Sequence, residues 1–282
     1  MGSLNAPRNH TSRFSSLEPT ALDGPFALEA AFRKDTHEAK VNLGIGAYRD
    51  DEGRPWPLSA VKEAKKRLAA GDWSHEYLPL HGDDSLLQAS RTVLFGSKLV
   101  SEIDVGVASV QTVSGTGANS LIARFAGKHL NPAQVLFPDP TWDNHFRIWR
   151  ENSPHIVQRW YPYYDLEGRV FDFDGIMATL RQDAVAGDVI LLHACAHNPT
   201  DPSQAQWAEI ASLCEEKQLF VIFDVAYQGL HPATWTEMRG RSSISFLALA
   251  LSLPPVNPSP KILGFTVSEP ASSTSWFLKG QI

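Results

Sequence analysis

The first residue to suggest chemistry is an acid at the end of an apolar run. Asp224 closes Phe220-Val221-Ile222-Phe223, and a carboxylate on so apolar a strand needs a partner, because an unpaired buried charge is costly. At the carboxyl end of a parallel strand it would stand where α/β folds place their ligands. A protonated pyridine nitrogen is a fitting partner, and Tyr227, three residues on, is spaced to donate to a phenolate oxygen. The plainer alternative is an aspartate that caps the next helix. Ser114-Gly115-Thr116-Gly117 follows a strand pattern and opens a helix pattern, so its free N–H groups and the helix dipole suit a phosphate. An ordinary glycine-containing turn has the same sequence signature. Asn198 lies in HACAHNPT (193–200), just past another apolar run. Asn-Pro is often only a turn signal, and His193 reads as a core residue. Trp142, in DPTWDNH (139–145), offers a flat face for stacking on an aromatic ring, although most tryptophans simply pack in cores.

Alternating strand and helix patterns must position these residues. From about 55 to 224 the alternation predicts an α/β layer sandwich on a mainly parallel sheet. Strands are expected at 108–113, 134–138, 156–161, 189–194 and 219–224. The last two are nearly continuous apolar runs, as strands covered on both faces require. Val61, Ala64 and Leu68 share one face of a charged amphipathic helix. Ser203 and Gln206 form a capping-box pattern ahead of Trp207, Ile210, Leu213 and Cys214. Residues 1–20 read as a polar arm. From 230 onward periodicity is poor, prolines cluster at 254, 255, 258 and 260, and serines are frequent, which predicts a disordered tail.

The 282 residues suffice for a large core, with 43% hydrophobic and 20% charged residues. Twenty-five basic against 31 acidic residues leave a net charge of −6, and no basic block invites nucleic acid. The ten histidines show no metal-ligand spacing such as H-E-x-x-H. Cys195 and Cys214 read as buried thiols in a reducing compartment. No apolar run approaches membrane-spanning length, and no signal-peptide pattern opens the chain. A cytoplasmic protein is expected.

Taken together, the segments at 41–50 (VNLGIGAYRD), 76–79 (EYLP), 114–118 (SGTGA), 140–145 (PTWDNH), 193–200 (HACAHNPT) and 223–229 (FDVAYQG) resemble, in order and spacing, the aspartate aminotransferases, class I enzymes dependent on pyridoxal 5'-phosphate. The resemblance runs from about Arg13 through Gly229. It implies the type I pyridoxal-phosphate transferase fold, a homodimer, and amino acid and 2-oxo acid substrates. It divides the chain into an arm (1–20), a small-domain segment (21–55), a partial large cofactor-binding domain (56–229) and a non-homologous tail (230–282). Ser114, Gly115 and Thr116 look like the phosphate cradle, and Trp142 like the residue stacked on the pyridine ring. Asn198 and Tyr227 match the pair bonding the phenolic oxygen, and Asp224 the carboxylate that keeps the ring nitrogen protonated. Gly46 resembles the glycine whose backbone meets the substrate carboxylate, with Trp142 and Asn198 beside the substrate as well. Tyr77 matches the tyrosine lent across the dimer to the other subunit's phosphate. Aspartate, or a similar amino acid, would be the donor and 2-oxoglutarate the acceptor.

Two departures stand out. Where the family reads His-Asn-Pro-Thr-Gly-x-Asp-Pro, Thr200 here runs directly into Asp201-Pro202, so the loop beside Asn198 is two residues shorter. The family's Schiff-base lysine, inside Ser-Phe-Ser-Lys-Asn, is also unmatched. At its spacing from Asp224 stand Pro260 and Lys261, after the non-matching Asn257-Pro258-Ser259. Lys261 is therefore rejected as a surrogate, and inactivity of the chain as written is expected. Residues 256–271, written as degenerate codons and read from the third base of the first, permit Gln-Ser-Phe-Ser-Lys-Asn-Leu-Gly-Leu-Tyr-Gly-Glu-Arg. The same shift over 230–240 permits Phe-Ala-Ser-Gly-Asp-Leu-Asp-x-Asp-Ala-Trp, the family's continuation of Ala-Tyr-Gln-Gly. Out-of-frame translation after about Gly229 is the expectation that follows. A non-catalytic remnant that binds pyridoxal phosphate or pairs with an intact subunit is the second reading. A decarboxylase or lyase on the same fold is the third.

Overall fold

The computed structural model describes residues 14–17, 24–42, 44, 49–72, 74–103, 107–195, 197, 200–226, 246–251 and 260–267. The chain divides into two compact units, Met1–Ala70 and Gly71–Ile282. The division falls after the amphipathic helix expected to open the large domain, so that helix belongs with the N-terminal unit.

In the first unit, α1 (Gly24–Lys34) and α2 (Ser59–Ala70) bury no residue completely. Lys40 closes the carboxyl end of α1, donating from Nζ to the carbonyls of Phe32 (2.8 Å) and Asp35 (2.7 Å), where helix carbonyls lack internal partners. Glu29 on α1 accepts from Asn42 and from Arg33. Asn42 in turn accepts from the Gly44 amide at 3.0 Å.

The second unit begins with α3 (Asp84–Ile103) and continues through β1 (Val107–Val113), α4 (Ser114–Phe125), a π-helical turn (Ala126–Leu130) and β2 (Gln134–Asp139). Then come α5 (Asn144–Asn152), β3 (Val157–Pro162), the short pair β4 (Tyr164–Asp165) and β5 (Val170–Phe171), and α6 (Phe173–Asp183). The last elements are β6 (Val189–Cys195), α7 (Gln204–Glu216), β7 (Phe220–Val225), β8 (Phe246–Leu251) and β9 (Pro260–Val267). Seven strands form one sheet in the order β1-β9-β8-β7-β6-β2-β3, with β9 antiparallel to both its neighbours. All five strands expected from the apolar runs are present within a residue or so, and Ser203 with Gln206 makes the expected capping box of α7.

Successive residues of the central strands enter opposite layers, as strand geometry requires. Ile190, Leu192, Val221 and Phe223 pack with Leu180, Ile210 and Leu213 of α6 and α7. Val189, Leu191 and Ile222 pack with Ile122, Ile148 and Trp149 of α4 and α5. This two-sided cover is why β6 and β7 are apolar at consecutive positions.

The tail corrects the expectation of disorder in two places. β8 and β9 insert between β7 and β1, so the sheet does not stop at β7. The physical reason is in the composition: FLALAL is an apolar run of strand length, and PKILGFTV carries Ile, Phe, Thr and Val, types that favour a pleated, covered surface. Proline and serine around these runs conceal them from a periodicity argument.

Candidate active site

Parallel strands put their carboxyl ends at one edge of the sheet, and Ser114, Trp142 and Asp224 stand at or just past the ends of β1, β2 and β7. β1 ends at Val113 in an extended conformation and α4 starts at once with Ser114, whose φ is +54°. Val113 provides no side-chain cap, so the first N–H groups of α4, which have no acceptor inside the helix, face outward with the positive end of the dipole. Gly115 is buried. A Cβ at Gly117 would lie 3.3 Å from Cβ of Thr112, so the first turn packs directly on its own strand. Thr112 Oγ1 adds a hydrogen bond to the Ser114 carbonyl at 3.2 Å. Ser114, Gly115 and Thr116, predicted as a phosphate cradle, thus form the uncapped first turn of α4.

Asp224, near the end of β7 and 8% exposed, is the centre of a buried network. His145 Nε2 donates to its Oδ2 at 2.8 Å, and Asn119 Nδ2 reaches the same oxygen at 3.4 Å. Asn119 also donates to the Gly115 carbonyl at 3.0 Å, so one side chain of α4 ties the cradle to the carboxylate. With Nε2 of His145 carrying the proton, its Nδ1 accepts from Thr141 Oγ1 (2.9 Å). That hydroxyl accepts in turn from His193 Nε2 at 3.2 Å. The relay runs His193, Thr141, His145, Asp224. Burial is the main reason the His193 pKa is held well below its ordinary value; the neighbouring His197 and His145 add to this and Asp224 opposes it. His193, expected as a core residue, is only partly buried and belongs to this network. Sequence reasoning did not assign Asn119, Thr141 and His145. Their signal is helical spacing, since Asn119 falls four residues after Gly115 and His145 four after Thr141.

β6 shifts its register to β7 between His193 and Cys195, with Cys195 still paired to Val225. The His197 ring stacks on that of Tyr163, with centroids 3.6 Å apart and planes 15° from parallel. Tyr163 O–H donates to the Thr200 carbonyl at 2.8 Å, and the His197 amide donates to Asp201 Oδ1 at 2.7 Å. Burial, with the Asp201 charge second, pushes the Tyr163 phenol up. The loop is therefore fastened on both sides of Asn198, which, like Gly46 and Tyr227, lies outside the described residues.

Trp142 is 38% exposed and stands edge-on to His145, with ring centroids 5.2 Å apart. Part of its indole face is left open. Tyr77 is fully exposed. The segment that follows it is fastened to β1: the Gln111 amide donates to the His81 carbonyl (2.7 Å), and Gln111 Oε1 accepts from the Asp83 amide (2.9 Å). Lys261 stands opposite Thr112 in the β9–β1 register, which puts its backbone at the same sheet edge.

Comparisons with known proteins give this geometry a context. The family model for aminotransferase class I and II matches residues 38–248. An L-tyrosine:2-oxoglutarate aminotransferase of Aspergillus ustus is 48% identical over 227 residues, covering 77% of this chain and 43% of the relative. A mitochondrial aspartate aminotransferase of Arabidopsis thaliana is 41% identical over 230 residues, covering 81% and 53%. The chain thus spans about half the length of these relatives. Among solved structures, an aromatic-amino-acid aminotransferase of Burkholderia pseudomallei, covalently bound to pyridoxal phosphate, superposes with a TM-score of 0.81 at 29% identity. It covers 91% of this chain and 66% of that one.

Proposed function

Since the chain belongs to the aminotransferase class I and II family, we propose that its site serves pyridoxal 5'-phosphate-dependent transfer of an amino group from L-aspartate, or a similar amino acid, to 2-oxoglutarate. The observation that carries this is the buried Asp224 carboxylate, held by His145 and Asn119 and joined through Asn119 to the helix start at Gly115. The set of donors fits the cofactor: a carboxylate for a protonated ring nitrogen, an uncapped helix N-terminus for a phosphate and a half-exposed indole for a flat ring.

When bound, the protonated cofactor ring draws off the electrons left as a substrate loses its α-proton. Asp224 would hold the proton on the ring nitrogen, and the His145 relay would keep the carboxylate from turning away. Ser114, Gly115 and Thr116 would bind the phosphate, with Tyr77 reaching the phosphate of the other subunit in a homodimer. Trp142 would cover the ring and exclude water from one face. Asn198 and Tyr227 would donate to the phenolic oxygen. The backbone of Gly46, with Trp142 and Asn198, would orient the substrate carboxylate. Among the described residues no helix is long and apolar enough to cross a membrane.

A second reading rests on 257–261 (NPSPK), which does not match the family's lysine motif. On it the 282-residue chain binds the cofactor, or pairs with an intact subunit, without turning over. One experiment judges both: titration of the whole chain with pyridoxal phosphate, followed by absorbance, borohydride reduction and mass mapping. Binding that Asp224→Ala abolishes supports the site, and a reduced adduct on a single lysine supports catalysis. Binding without an adduct supports the second reading. Absence of binding sinks the first reading and the cofactor-binding form of the second.

A further inference from the structure

Asn119 is a polar residue in an apolar place. Its side chain, on α4, is completely buried, and Ala118, Ile122 and Ala123 beside it in the chain belong to the apolar layer under the sheet. We propose that Asn119 is a positioning residue: its amide ties the Asp224 carboxylate to the first turn of α4 and so sets that carboxylate against the cofactor's ring nitrogen, at some cost to the stability of the fold. The proposal rests on the reading of Asp224 given above.

Three observations converge. Asn119 Nδ2 has two hydrogens and two acceptors, the Gly115 carbonyl at 3.0 Å and Asp224 Oδ2 at 3.4 Å. The amide therefore has one orientation, because the flipped form would set Oδ1 against a carbonyl and a carboxylate oxygen. In that orientation Asn119 Oδ1 is buried and, among the described residues, has no hydrogen-bond partner. A buried amide oxygen in that state is unfavourable to folding. Leucine has the same number and branching of heavy atoms as asparagine and would fill the same space without that penalty. What asparagine adds is the pair of donated bonds.

Those bonds act on the carboxylate. His145 Nε2 donates to Asp224 Oδ2 at 2.8 Å from α5, and Asn119 reaches the same oxygen from α4. Two donors from two helices converge on one atom, so turning the carboxylate breaks both contacts. His145 supplies the shorter bond. Asn119 adds a tie to the turn at Gly115, where the phosphate would sit. Without it, Asp224 keeps His145 but is no longer held to the helix start, and the places for ring nitrogen and phosphate lose their fixed separation.

The test compares wild type, Asn119→Leu and Asn119→Ala in the full 282-residue chain, with pyridoxamine 5'-phosphate as the ligand because it needs no lysine to bind. In urea unfolding without ligand, Asn119→Leu is expected to have a midpoint equal to or above that of wild type. Both variants should bind the ligand about fivefold more weakly, the worth of one ordinary hydrogen bond. The bound ring nitrogen, isotope-labelled and read by NMR, should lose its proton at lower pH in both variants, since the carboxylate that holds it is less well aimed. A loss of packing alone would not move that titration. An Asn119→Leu chain that is less stable than wild type, or fails to fold, would make Asn119 a residue of the fold and overturn the proposal. Unchanged affinity, or an unshifted ring-nitrogen titration, would overturn it as well. If wild type takes up no pyridoxamine phosphate, the functional reading fails and this role with it; if wild type binds, the variants judge Asn119 alone.

Discussion

At the scale of single residues, Asp224 depends on its neighbours more than on its own identity. It sits in an apolar strand, and His145 is the short donor that secures its Oδ2. Replacing His145 by alanine leaves both the carboxylate and Thr141 without that ring. A loss of about 2–3 kcal/mol in urea unfolding is expected, the size of a hydrogen bond to a buried charged group. Cofactor affinity should fall with it, and an unchanged midpoint would show that His145 only fills space. His193 makes a prediction about pH. Its folded pKa lies well below the ordinary 6.5, chiefly through burial. As the pH drops past 6.5 the unfolded chain takes up this proton before the folded chain does. Its contribution to stability is therefore complete above 6.5 and is lost as pH falls toward the lowered folded value. The loss amounts to at most about 1.4 kcal/mol per pH unit. His193→Gln should flatten that part of the stability profile, and a profile identical to wild type would assign the acid sensitivity elsewhere.

Elements hold the site through short, local devices. The Tyr77 segment is fastened to β1 at Gly82, whose φ is +105° and where an added Cβ would lie 2.3 Å from Cβ of Gln111. Gly82→Ala combines backbone strain with a clash against a strand, so a destabilisation of about 2–4 kcal/mol is expected from thermal or urea unfolding. A neutral substitution would mean that the 77–83 segment shifts freely on β1. In α7, the burial of Cys214 pushes its thiol up to about 12. The thiolate that reacts with alkylating agents is then scarce at neutral pH. Iodoacetamide should modify Cys214 only after unfolding, and rapid modification of the native chain would show that α7 opens.

For the molecule as a whole, the question is what completes the sheet. β8 and β9 separate β7 from β1, so a chain cut after Gly229 would leave both of those strands with an open edge and bare apolar faces. The cut chain is expected to bind hydrophobic dyes and to aggregate more than the 282-residue chain. Equal solubility would show that the tail strands contribute nothing to folding. The alternative frame permits the family's lysine motif over the same stretch that forms β9. Sequencing the transcript across the Gly229 codon separates the two origins: a frame change or an intron boundary there supports an out-of-frame tail, and an uninterrupted frame removes the idea.

Much of this was legible in the chain because it depends on neighbours in sequence. β1, β2, β3, β6 and β7 follow local strand patterns, β6 and β7 as nearly continuous apolar runs, and the capping box of α7 is set by Ser203 and Gln206. The abrupt start of α4 is set by small residues directly after a strand, and Asp224 stands out because its surroundings are apolar. The tail strands were not legible: β9 has no helix-like or alternating pattern, and its place is fixed by two antiparallel partners distant in sequence. The same holds for the relay from His193 through Thr141 and His145 to Asp224, and for the joining of Asn119 to both Gly115 and Asp224. Those side chains come from α4, the loop after β2 and its helix α5, β6 and β7. Only the packing of helices on the sheet brings them within hydrogen-bonding distance. Residue types and local order determined which elements form and which family the chain belongs to. The tertiary structure decided which polar groups share one buried volume, because that depends on contacts between residues up to 105 positions apart.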